Sequence, residues 1–213
     1  MTFKKAIKLH ENVPADWYYS SIRKNIIQKY VHTRRFNEVS KLIEPTGGKI
    51  LDIGSADGVF TNVISKESKA EKIIGIDVLK KSVDWANIHW KDSKMKFYLG
   101  DAENLKYEKE TFDAIFALEV LEHVQKPIKV LENIKRLLKI NGYAIFLVPA
   151  ETFLFQFIWF IWVRTRGKVW NDTHINIFKN NGLTKLCKSV GFKIAEDKKI
   201  IFGTLHLIKV RKQ

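Results

Sequence analysis

The chain has 213 residues, enough for one domain that buries a substantial core. Its net charge of +14 is unevenly spread: residues 1–49 carry an excess of six positive charges, residues 164–213 an excess of nine, and residues 50–163 are one negative. Such flanks suit an anionic membrane surface, a nucleic acid or an acidic substrate, or simply a lysine-rich solvated surface, while the single Cys187 excludes an internal disulfide and fits a reducing cytosol.

The start, "MTFKKAIKLHENVP", has no long apolar region followed by a small-residue cleavage site, so no secretory signal is expected and the protein should stay in the cytoplasm. Residues 17–44 space Ile22, Ile26, Ile27, Tyr30 and Val31, then Phe36, Val39, Leu42 and Ile43, by three, four and seven. That is an amphipathic helical pattern, ended by Pro45-Thr46-Gly47-Gly48. An alternation follows: strand "KILDIG", helix "VFTNVISKES", strand "KIIGIDV", helix "KSVDWANIHWK", strands "MKFYLGDA" and "FDAIFALEV", helix "PIKVLENIKRLLK" closed by Asn141-Gly142, and strand "YAIFLVP". Strands alternating with helices predict βαβ units in a mainly parallel sheet covered on both faces. "LTKLCKSVGF" reads as an amphipathic helix that packs Cys187, and "FKIAEDKKIIFGTLHLIKVRK" as a closing antiparallel hairpin turning near Gly203. No repeat, low-complexity tract or proline-rich linker divides the chain, which predicts one domain.

Ligands of open α/β sheets bind beyond the carboxyl ends of the strands, where strand order reverses. The turn Gly54-Ser55-Ala56-Asp57-Gly58 follows the first strand, and its glycines let a ligand approach the backbone at a helix start. Asp77 ends the second strand 23 residues after Gly54, where a carboxylate accepts from both ribose hydroxyls. Asp101-Ala102, ending the third, offers a carboxylate for an exocyclic amine and an N–H for a ring nitrogen. The Lys-Ser/Thr of a P-loop and the three glycines of G-x-G-x-x-G are both missing. Asp52 and Asp57 put negative charge beside the turn, which disfavours a pyrophosphate and favours an adenosine ligand with a cationic end. Any one of these aspartates could equally be a cap or a solvated turn residue; their succession at strand ends sets them apart.

The series "ILDIGSADG", "IIGIDV", "GDAENL", "FDAIFALEVLEHV" and "LLKINGYAIFLVP", over roughly residues 34–149, resembles the ordered motifs of class I S-adenosylmethionine (SAM)-dependent methyltransferases. The resemblance implies a Rossmann-like, doubly wound α/β fold: a seven-stranded, mainly parallel sheet with an antiparallel last strand. It implies S-adenosyl-L-methionine as cofactor and S-adenosyl-L-homocysteine as product. Gly54, Ser55, Ala56 and Gly58, with Asp52, would face the methionine part, Asp77 and Val78 the ribose, Asp101 and Ala102 the adenine, and Leu118 would make a backbone contact. Ala56 departs from the usual glycine. "ALEVLEHV" with the late "THINIF…LTKLCKSVGF" is most similar to small-molecule and lipid O-methyltransferases, those of ubiquinone biosynthesis included. An arginine 18 residues before the first-strand aspartate helps to hold the cofactor there. Arg34 stands at that distance from Asp52, with Arg35 beside it leaving the register open.

Methyl transfer to oxygen is an in-line displacement that needs an aligned acceptor and often a base. His123 is the candidate base, Glu119 a second and His174 a third; a structural, hydrogen-bonded histidine is the competing reading of His123. Neither H-E-x-x-H nor a His/Cys cluster is present, so no metal is expected. "FLFQFIWFIWVRTRGKVW", Phe153 to Trp170, has only Gln156 as a polar group in its first 11 residues, too short to cross a bilayer. Trp159, Trp162 and Trp170 with Arg164, Arg166 and Lys168 are the mixture of a segment lying in a membrane interface or closing over an amphiphilic substrate. A buried lid helix is the plainer alternative. The expected organisation is a single domain: a helical lid over 1–45, a cofactor core over 46–149, a substrate insertion over 150–180, and a helix with hairpin over 181–213. The expected acceptor is a small, hydrophobic or lipid-linked molecule, with peripheral contact at the inner face of a membrane. Two other readings stay open: an RNA methyltransferase, suggested by the basic flanks, and a SAM-binding protein without transferase activity.

Overall fold

The computed structural model describes residues 2–165, 167–170 and 173–213. Three helices precede the sheet: α1 (Thr2–His10), α2 (Trp17–Lys24) and α3 (Ile26–Ser40). The alternating part runs β1 (Lys49–Ile53), α4 (Val59–Ser68), β2 (Lys72–Asp77), α5 (Lys80–His89), β3 (Met95–Leu99), β4 (Phe112–Leu118), α6 (Pro127–Leu137) and β5 (Leu138–Pro149). It is followed by α7 (Phe153–Arg164), a 3-10 turn (Lys168–Trp170), α8 (Gly182–Ser189), β6 (Lys193–Ile200) and β7 (Leu205–Arg211).

All seven strands form one sheet in the order β3-β2-β1-β4-β5-β7-β6. The first five pair in parallel, and β7 runs antiparallel to both β5 and β6. The central strands are continuous apolar runs because both their faces are covered. On one face α6 lays down Val130, Leu131, Ile134 and Leu137, all fully buried with Leu183 and Cys187 of α8. Burying each of the large ones is worth roughly 1.5–3 kcal/mol. On the other face Val39, Ile64 and Val83 bring α3, α4 and α5 onto the sheet. The edge strand β6 carries Lys193, Lys198 and Lys199, charges that discourage edge-to-edge pairing.

Two local expectations are corrected. Residues 17–44 are not one helix. Asn25 ends α2 and caps α3, its side-chain oxygen accepting from the N–H groups of Ile27 (2.9 Å) and Gln28 (3.0 Å), so the chain turns a corner there. Asn141-Gly142 does not close α6. It lies within β5, where Asn141 has φ +65° and the pairing with β4 shifts register, forming a bulge.

Strand order reverses between β1 and β4, and this puts the ligand crevice at their carboxyl ends.

Candidate active site

The turn after β1 is strapped to β2: the N–H groups of Gly54 and Ser55 both donate to the Ile76 carbonyl, at 2.8 and 2.9 Å. Gly54 has φ +71°, and a Cβ there would stand 2.4 Å from Val120 Cγ2, so both conformation and space demand glycine. Ala56 adopts φ +46° in the same left-handed region, where a side chain costs energy. Asp57 ties the turn to its surroundings. Its Oδ2 accepts from the Tyr19 N–H (2.8 Å) and its carbonyl from Trp90 Nε1 (2.7 Å).

Beneath the turn lies a cavity of about 120 Å³. Of the residues singled out from sequence, Asp52, Gly54, Ser55, Ala56, Asp77, Val78, Asp101, Ala102 and Leu118 all stand in its wall. Gly58 does not; it gives room for Phe97 and Trp90, which a Cβ would meet at 2.7 Å. Arg34 is corrected too: it is exposed and lines neither this cavity nor the next, whereas Arg35, one position on, points inward. The sequence did not single out Ala6 and His10 of α1 or Trp17 and Tyr18 of α2, which complete the wall from above.

The carboxylates here are held away from water. Burial raises Asp52 to about 7, opposed by a hydrogen bond from Thr61 Oγ1 at 2.6 Å, and raises Asp57 to about 6. Burial also raises Asp77, although the N–H groups of Leu79 (2.8 Å) and Ala56 (3.0 Å) donate to its two oxygens. Such a wall is short of positive charge, and a cationic ligand would restore the ionised carboxylates.

A second cavity, about 260 Å³, opens next to the first, and Trp17, Tyr18, Glu119, His123 and Trp170 belong to both walls. Its lining is aromatic and aliphatic, with Phe155, Ile158, Trp159 and Trp162 contributed by α7. His123 Nδ1 lies 2.8 Å from the Thr173 carbonyl oxygen. A carbonyl only accepts, so Nδ1 carries the proton and Nε2 is left with a lone pair. Burial, with His10 and His174 nearby, holds His123 well below its usual range and keeps it neutral. Glu119 is engaged by Arg35 in a largely buried ion pair, which makes it a weaker candidate base. His174 stacks on Trp159 with ring centroids 4.1 Å apart, and burial lowers it to about 4.

The fold also brings together residues that no sequence motif groups. The N–H groups of Ile175 (2.8 Å) and Asn176 (3.0 Å) donate to the Glu122 carbonyl and draw His174 to the end of β4. Glu122, His123 and His174 each offer a ligand atom, all within 4.8 Å of one another, and such a group could hold a metal ion. Burial raises Glu122 to about 8.

Among the described residues, six buried side-chain polar atoms lack a partner: Arg35 Nε, Ser55 Oγ, both Glu122 oxygens, Trp162 Nε1 and Trp170 Nε1. All belong to the walls of the two cavities. Buried polar groups are paired in the great majority of cases, and these atoms, gathered around two cavities, can be satisfied by what fills those cavities, water or ligand.

Comparison with known proteins gives the family and the fold. Residues 23–197 match the family model described as a methyltransferase domain. A ubiquinone biosynthesis O-methyltransferase of Rickettsia typhi is 26% identical over 217 residues, covering 94% of this chain and 84% of that protein. A protein of the same description from Aliivibrio fischeri is 29% identical over 103 residues, covering 47% of this chain and 43% of its own length. The chain thus aligns with less than half of that second relative. A SAM-dependent methyltransferase from Aquifex aeolicus superposes with a TM-score of 0.65 at 16% identity, covering all of both chains, which speaks for the fold.

Proposed function

The chain belongs to the methyltransferase family, as a SAM-dependent enzyme of class I, and from that premise we propose that it methylates an oxygen of a small, hydrophobic or lipid-linked acceptor at a membrane surface. The observation that carries this reading is the junction of the two cavities: His123, with its lone pair on Nε2, stands in both walls, and the second cavity is lined mostly by aromatic and aliphatic side chains.

The wall of the first cavity suits SAM. Asp77 is placed to take the ribose hydroxyls and Asp101 with Ala102 the adenine edge. The unpartnered Ser55 Oγ and the buried Asp52 and Asp57 face the charged methionine end. When bound, the cofactor supplies a methyl group on a sulfonium, open to in-line attack. The second cavity then holds the acceptor hydroxyl against His123. His123 would take the acceptor's hydroxyl proton on Nε2 as that oxygen accepts the methyl group, leaving S-adenosyl-L-homocysteine as the other product. The Thr173 carbonyl keeps the tautomer that makes this possible, and the indole walls of α7 and the 3-10 turn exclude water.

The membrane part rests on α7. It is too short to span a bilayer, and among the described residues no helix is long and apolar enough to cross one. Yet Phe153, Phe157, Phe160 and Ile161 are exposed along it, and Arg164 follows. Exposed apolar groups of this kind, with Arg164 at the helix end, fit a segment resting in the membrane interface. Arg166, counted in the same mixture, lies outside the described residues. Incubating the chain with methyl-labelled SAM and fractionated host extract tests the reading. Label in the apolar lipid fraction supports it, whereas label in RNA, or in nothing, would overturn it.

A further inference from the structure

The corner between α2 and α3 leaves apolar side chains in water that the sequence pattern would have buried. Ile26 is 83% exposed and Ile27 71%, with Tyr30 exposed one turn on. They are held there by structure, because Asn25 closes α2 with its N–H on the Ser21 carbonyl (3.2 Å) and opens α3 with its side chain. Large aliphatic groups on a well-capped corner call for an explanation.

Two neighbouring features say what covers them. The first is charge. Arg23, Lys24, Lys29 and Arg34 are all exposed around the corner, and between residues 17 and 37 there is no acidic residue. Apolar tips ringed by cations match an anionic lipid surface, where each cation near the headgroups adds about 1 kcal/mol. The second is position. Ile27 lines the second cavity together with Ile158 of α7 and Phe202 of the β6–β7 turn, and all three are also exposed, Phe202 by 85%. The mouth of that cavity is therefore bordered by apolar groups from three separate elements.

We propose that the α2–α3 corner is a second membrane contact beside α7, inserting Ile26, Ile27 and Tyr30 into the same anionic lipid surface, so that the acceptor cavity, lined by Ile27 and Ile158 alike, opens into the lipid itself. An amphiphilic acceptor then passes from the membrane into the cavity between Ile27, Ile158 and Phe202 without crossing water. The inference rests on the membrane-surface reading above and adds a second contact element and a route of entry.

The test is co-sedimentation of the full chain with vesicles of phosphatidylcholine alone and of phosphatidylcholine with phosphatidylglycerol. Ile26→Ser combined with Tyr30→Ser touches neither cavity, and should lower partition into the anionic vesicles by about tenfold or more. Arg23→Gln, Lys24→Gln and Lys29→Gln together should cost about fivefold for each charge removed. SAM affinity by calorimetry should stay unchanged in every variant, which shows that they fold. If the corner variants partition like the parent while Phe157→Ser with Phe160→Ser releases the protein, the corner makes no contact and the membrane reading through α7 survives. If the parent binds no vesicles, both fall. Equal partition into neutral vesicles, or a dimer in solution that Ile26→Ser with Tyr30→Ser dissociates, overturns the proposal as well.

Discussion

His123 Nδ1 and the Thr173 carbonyl oxygen are 2.8 Å apart, a side-chain-to-backbone contact across fifty residues of sequence that settles which ring nitrogen carries the proton. His123→Ala should therefore lower methyl transfer by about 10²–10⁴-fold, the range for a positioned general base, while SAM binding changes far less. Label transfer to extract and calorimetry on the same preparation check the two halves of this expectation.

Asp77→Ala removes the carboxylate proposed to take the ribose hydroxyls. Hydrogen bonds to a charged group contribute about 1.5–3 kcal/mol, so SAM affinity should fall about ten- to a hundredfold, read by calorimetry. Unchanged affinity would remove Asp77 from the cofactor site.

SAM binding should strengthen as pH rises. Asp52 titrates near 7 and Asp57 near 6 because they are buried. A cationic ligand favours their ionised forms, so binding releases protons between about pH 5 and 7 and levels off above. The linkage for stability runs the other way. The folded chain binds more protons than the unfolded one between about pH 4 and 7, so these groups cost stability as pH rises through that window. The thermal shift produced by SAM should thus be larger at pH 8 than at pH 5.5, by scanning calorimetry. Equal shifts would show that the two acids do not sense the cofactor.

Ala56→Gly should stabilise the chain by about 1 kcal/mol, because alanine at φ +46° sits where a Cβ crowds its own backbone. For a chain of this size that is a rise in Tm of roughly 2–4 °C.

Arg35→Met should destabilise the fold by up to about 3 kcal/mol, since it leaves Glu119 without its partner in a largely but not fully buried place. Adding Glu119→Gln should restore part of the loss, a coupling that denaturant titration of the single and double variants measures.

The sheet was legible because its central strands are apolar runs bounded by glycine and helix patterns, and the gathering of the acids around the first cavity because they come at successive strand ends. The α2–α3 corner was not: helical periodicity continues straight through Asn25, and nothing in the spacing tells a buried Ile26 from an exposed one. The choice between Arg34 and Arg35 turns on one residue, or about 100° of helix rotation, finer than an apolar pattern resolves. His174 joins Glu122 and His123 through backbone hydrogen bonds from Ile175 and Asn176, a tertiary closure that no local motif announces. Asn141-Gly142 has the composition of a helix stop but serves a strand bulge, since both structures ask for the same left-handed residue.

The partition shared by the two cavities has a use in inhibitor design. Trp17, Tyr18, Glu119, His123 and Trp170 belong to the walls of both the cavity proposed for SAM and the apolar one. A single molecule with an adenosine at one end and a greasy arm at the other would reach across this wall. Its second half would bind at the high local concentration that the first half imposes, so the joined compound should outperform either fragment by orders of magnitude. Varying the arm alone would then chart the dimensions of the acceptor room without the natural acceptor in hand.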